Sequence, residues 1–142
     1  MAPAVSSAPE AKAAWEEQWG NAVGLARKEG RVFIYGSTAT APAREAIIKN
    51  LRDKFGITVE MIIGRGTELN EKIFSERRAG LYMADVYIGG ITTIINELKP
   101  AGVLDPIEST LLLPEVKDPG KWFSGKLPFI DSGKYSLRMS SY

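Results

Sequence analysis

Apolar residues recur along this chain in two alternating rhythms. From Ala11 the positions Trp15, Trp19, Ala22, Val23 and Ala26 fall three and four apart, and Lys28-Glu29-Gly30 closes the run, which predicts a helix with one buried face and a glycine stop. Residues 31–35 form a short β-branched and aromatic run between Gly30 and Gly36, the pattern of a strand covered on both faces. Ile47, Ile48, Leu51 and Phe55 mark a second helix, with Thr40 or a neighbour placed to cap it, Pro42 in its first turn and Gly56 at its end. A second strand is expected over residues 57–63.

The alternation continues with a helix that turns Leu69, Ile73 and Phe74 inward and stops at Gly80, a third strand over 85–88, and a helix with Ile91, Ile94, Ile95 and Leu98 on its apolar face before Pro100 and Gly102. Helix alternating with short buried strand predicts an α/β fold, three-layer αβα with a mostly parallel sheet. After Gly102 the rhythm fades. Leu111, Leu112, Leu113, Trp122 and Phe129 read as anchors of an irregular segment, and residues 134–139 as a fourth strand. Residues 1–10, rich in Ala, Pro and Ser, read as a flexible leader, and 11–142 as one domain.

Composition narrows the chemistry. The 142 residues include no His and no Cys, which excludes disulfides, imidazole and thiolate metal ligands, and Ser/His or Cys/His catalysis. A formal net charge of +1 lacks the basic excess of a nucleic-acid binder. No run reaches the roughly 18 apolar residues of a membrane span, and the first ten residues have neither the basic nor the apolar segment of a signal peptide. Gly64-Arg65-Gly66 is not a dinucleotide fingerprint, because Leu69 stands where the third glycine belongs, and no phosphate loop ending in Gly-Lys-Ser/Thr occurs. The motifs call for no cofactor.

Ligands of open parallel sheets bind beyond the carboxyl ends of the strands. Here those loops are residues 36–40, 64–67 and 89–93, each combining Gly with Ser or Thr. Helix N-termini attract anions, and Arg65 adds a planar fork for carboxylate or phosphate. Turns and caps need the same residue types in any such fold, but three loops together with Arg65 favour a site. Asp85 is a candidate acid or base, more commonly a residue that caps a turn or pairs with Arg. Glu68 and Glu71 suit a solvated first turn, and Glu76, Arg77 and Arg78 an exposed, charged helix end. Trp15 and Trp19 are expected to cover the sheet, and Trp122 to anchor packing.

Trp19 with Ala26-Arg27-Lys28-Glu29-Gly30-Arg31-Val32, Tyr35-Gly36-Ser37, Phe55-Gly56-Ile57-Thr58-Val59-Glu60, Gly66-Thr67-Glu68-Leu69, Glu76-Arg77-Arg78-Ala79-Gly80, Ala84-Asp85-Val86, Gly102-Val103-Leu104, Leu113-Pro114-Glu115 and Trp122 together resemble the N-terminal lobe of extracellular solute-binding proteins of ABC transporters, the iron(III)-type branch of the type II periplasmic-binding fold. The resemblance implies a non-enzymatic receptor, periplasmic or extracellular, that binds a small anion or an anion-chelated ferric ion and delivers it to a membrane permease. It implies first-lobe contacts at Ser37, Thr38, Arg65, Gly66, Gly90 and Thr92, the loops that composition also selects, with no metal ligands among them. The second lobe is expected to be absent, which implies weak binding and an exposed sheet edge through which copies could associate. Two rivals remain: a small Rossmann-like enzyme acting on a phosphorylated substrate through Asp85, and an assembly module that binds no ligand.

Overall fold

The computed structural model describes residues 8–139. Helix α1 spans Ala8–Glu29, so the last three residues of the expected leader are helical and the rest of it lies outside the described residues. Alanine is the strongest helix former, and Pro9 falls in a first turn, where its missing N–H costs nothing. The chain divides into two bodies, one over Ala26–Asp105 and the other from the segments on either side of it.

The first body holds the sheet. Strands β1 (Arg31–Gly36), β2 (Thr58–Ile63) and β3 (Val86–Ile88) are parallel in the order β2-β1-β3. Helices α2 (Ala41–Phe55) and α3 (Gly66–Arg78) form the connections, and the mixed α/β fold with a parallel sheet is as the hydrophobic rhythm predicts. Thr40 Oγ1 accepts from the Ala43 N–H at the start of α2, and Gly56 at its end adopts φ 70°, a left-handed conformation that lets its N–H close on Arg52.

Because successive strand residues face opposite ways, the central strand β1 serves two layers. Tyr35, 1% exposed, packs with Leu69 and Ile73 of α3 and with Ile94 and Leu98. Val32 shares the other face with Leu51 of α2 and Ala26 of α1. The helix after β3 begins as α4 (Ile91–Thr93) and widens into π-helical turns over Ile94–Leu98, with the Lys99 N–H reaching back to Ile94 O at 2.9 Å. Ile94 and Leu98 are buried as expected, whereas Ile91 at the helix start is exposed.

Two readings of charged residues are corrected. Glu76 and Arg77 are half-buried rather than a solvated helix end. The Tyr35 hydroxyl donates to Glu76 at 2.7 Å, Lys72 pairs with the same carboxylate, and Arg77 stacks on Tyr82 while donating to Val103 O. Burial, followed by the Glu76 carboxylate, raises the Tyr35 hydroxyl above its usual 10.0. The unfolded chain then ionises first as pH climbs through that value, so stability present below it is lost above it. Denaturation midpoints measured against pH are expected to fall on the alkaline side, with a shallower fall in Tyr35→Phe. Lys72 and Tyr87, both also raised, contribute with the same sign.

Asp85 has a structural role. Its carboxylate accepts the Phe33 N–H at 2.9 Å while its own N–H donates to Phe33 O at 3.0 Å, so the side chain extends the β1–β3 ladder by one rung. Asp85→Ala is expected to lower stability by about 1 kcal/mol in urea titration by stranding that N–H, and Asp85→Asn, which keeps an acceptor, by much less.

The second body contains residues 8–25, with Trp15 and Trp19, and 106–139. Trp122 is anchored as expected, its indole N–H donating to Val116 O at 2.7 Å. Residues 134–139 do not form a fourth strand: Leu137 makes an isolated antiparallel bridge to Phe129. The Asp131 carboxylate accepts from the N–H groups of Tyr135 and Ser136, and this side-chain turn reverses the chain onto residues 128–130.

Candidate functional site

The strand register sets the site. Gly36 pairs with Ile63 on one side and Ile88 on the other, so all three strands end at one level and their loops emerge side by side. Gly36 is buried, and a Cβ there would meet Ile63 Cδ1 at 3.2 Å, so a larger residue would require the exposed Ile63 side chain to shift.

One side chain touches all three loops. Tyr87 leaves β3 and curls back along its own loop, where a Cβ on Gly89 would lie 2.3 Å from its ring. Its hydroxyl comes within 3.6 Å of the Cβ position of Gly66, beside Thr93 Oγ1 at 3.2 Å from the same point. Ser37 stands near enough to favour the ionised phenol, but the dominant effect is burial, which raises Tyr87 above its usual value, and the Glu97 charge adds to it. Tyr87 is therefore a neutral donor at physiological pH. The hydroxyl is buried and has no hydrogen-bond partner in the protein; the Ser37 pair falls outside bonding geometry.

Below this point α3 and the 91–98 helix run together. Gly66 meets Thr93, and one turn along both helices the Asn70 amide donates to the Glu97 carboxylate. Asn70 is 1% exposed, and its Oδ1 has no partner. Wide π turns are frequent near functional positions, and here they lie between Thr93 and Glu97.

The candidate residues separate into two groups. Gly66 and Ser37 gather at the Tyr87 hydroxyl, although the Ser37 N–H is committed to Ile88 O at 2.9 Å. Thr38, Arg65 and Thr92 are exposed around them, and Thr93, not Thr92, turns its hydroxyl to Gly66. Gly90 precedes α4, and its carbonyl accepts from Ile94 N–H. Arg65 caps α3 with extended backbone, its N–H donating to Glu68 at 3.3 Å. Leu69 is the first donor into Arg65 O, which leaves the Gly66, Thr67 and Glu68 N–H groups as the unpaired helix-start donors. The Glu68 carboxylate stands beside them and competes with an incoming anion. Tyr87 was hidden in the sequence as an apolar strand residue, because alternation in a buried strand does not reveal which tyrosine curls toward a loop.

Asp85 lies at the other end of β3, three residues before Ile88, about 10 Å by strand rise. It lines a groove of about 300 Å³ with Ala26, Val32, Leu51 and Ile57, and Glu29 and Arg31 at its rim. Among the described residues no three His, Cys, Asp or Glu gather where they could hold a metal ion. No described helix is long and apolar enough to cross a membrane.

No protein-family model matches the chain, and no curated protein matches it. Among solved structures the chain is similar to iron-bound HitA from Pseudomonas aeruginosa, with 28% identity and a TM-score of 0.47. The match covers 61% of this chain and 26% of that one.

Proposed function

We propose that this chain binds a small oxyanion or carboxylate, alone or chelating a ferric ion, at the carboxyl ends of its strands, as the first lobe of an extracellular solute-binding protein serving an ABC permease. The observation that carries the reading is the meeting of three Gly/Ser/Thr loops around one neutral hydroxyl, beside the free N–H groups that start α3. Ser37, Thr38 and Thr92 supply hydroxyls, Gly66 and Gly90 close backbone approach, and Arg65 the compensating charge. A ferric ion would need further ligands from its accompanying anion, since the described acids form no cage.

Thr38, Arg65 and Thr92 are exposed, and a ligand held by these loops alone is only partly buried, so affinity is expected on the order of millimolar. Titration of the ¹⁵N-labelled chain with inorganic phosphate, citrate and ferric citrate tests it. Saturable shifts at the Ser37 and Gly66 amides, weakened about tenfold in Arg65→Ala, are expected for a charge-assisted contact. Unchanged amides with every probe would overturn the reading.

Association of copies is proposed through the outer edge of β3. Val86 is exposed there, as are Leu81, Tyr82 (70%) and Met83 before it, and an unprotected apolar strand edge favours pairing. Light scattering is expected to show a concentration-dependent dimer that Tyr82→Lys weakens.

A further inference from the structure

Resting on the solute-site reading, we infer that the Tyr87 hydroxyl is a specificity-determining contact, donating its proton to a ligand oxygen that enters between Ser37 and Gly66. A buried hydroxyl without a partner is costly to the fold, and its placement depends on Gly89, where a Cβ would stand 2.3 Å from the ring. At Gly66 a Cβ would reach only ordinary contact with the hydroxyl, at 3.6 Å. Ser37 lies beside the phenol, and Thr93 Oγ1 stands against the same Gly66 Cβ position as the hydroxyl; each of these side chains turns about a single χ, the motion by which a ligand oxygen would reach the phenol.

Chemical selectivity follows. Tyr87 stays protonated and therefore offers a hydrogen to an acceptor, while Glu68 and Glu97 nearby repel excess negative charge. The favoured ligand group is an oxyanion or carboxylate oxygen that accepts this hydrogen bond, over a group that presents no acceptor there.

The test is Tyr87→Phe, which keeps the ring and removes only the oxygen. Amide shifts at Ser37 and Gly66 during inorganic phosphate titration are expected to give an affinity about tenfold weaker than in the wild type. The ligand-free variant should unfold at an equal or higher temperature, a result that a structural hydrogen bond would reverse. Equal affinity in both proteins overturns the role of Tyr87 and leaves the site intact. A Tyr87→Phe chain that is less stable without ligand assigns the hydroxyl to the fold and also overturns the inference. Absence of shifts in the wild type removes the site itself, and the inference with it.

Discussion

Leu98→Ala is expected to cost about 2–5 kcal/mol of stability, enough to leave much of the chain unfolded at 37 °C. Leu98 is 0% exposed and packs in one cluster with Tyr35, Leu69, Ile73 and Ile94. That cluster joins β1, α3 and the 91–98 helix, the three elements whose ends carry the loops. Seven apolar side chains count as buried among the described residues, so a core this small has little spare packing to relax into the void. The π-helical turn over Ile94–Leu98 fixes Leu98 on a wider turn than an α-helix provides, which limits collapse further. Chemical denaturation followed by circular dichroism checks the value. A loss below about 1 kcal/mol, the range of exposed positions, would mean that Leu98 is not closely packed.

The hydrophobic rhythm disclosed the elements because it records which residues must leave water. Thus β1, β2, α2 and α3 fall close to where the sequence places them, and Leu69, Ile73, Ile94 and Leu98 are in the core. Errors arose where polar side chains replaced regular structure. Asp131 turned an expected strand into a hairpin bridge, and the Glu76 and Arg77 side chains left the solvent for Tyr35, Tyr82 and Val103. The Tyr35 and Val103 partners are distant in the chain, and the local turn at Asp131 and stack on Tyr82 break the period that marks regular elements. The same holds at the candidate site. Gly and Ser/Thr composition located the loops, but the hydroxyl they surround belongs to Tyr87, a residue two positions before Gly89 that alternation assigns to the sheet. Thr93 could be chosen over Thr92 only once the neighbouring helix was in place.

Gly89→Ala is expected to expel the Tyr87 ring from its position and to cost about 1–3 kcal/mol, the range for overpacking. The added methyl would stand 2.3 Å from Cε1 and 2.9 Å from both Cζ and the hydroxyl, distances at which something must move. Tyr87 is the mobile partner, since the atoms met are the far end of its own ring. Its departure would take the hydroxyl from Gly66 and Ser37 together, so phosphate response should fall as in Tyr87→Phe although Gly89 itself bears no donor side chain. A double-mutant cycle separates this from backbone strain. In a Tyr87→Leu background, where the ring's far atoms are gone, Gly89→Ala should cost close to nothing, giving a coupling of roughly 1–3 kcal/mol. An unchanged penalty in that background would place the strain in the loop backbone and detach Gly89 from the site. By contrast, Gly90 has open space where a Cβ would point, so Gly90→Ala is the control for stability: same loop, same substitution, and an expected change in folding free energy within about 0.5 kcal/mol.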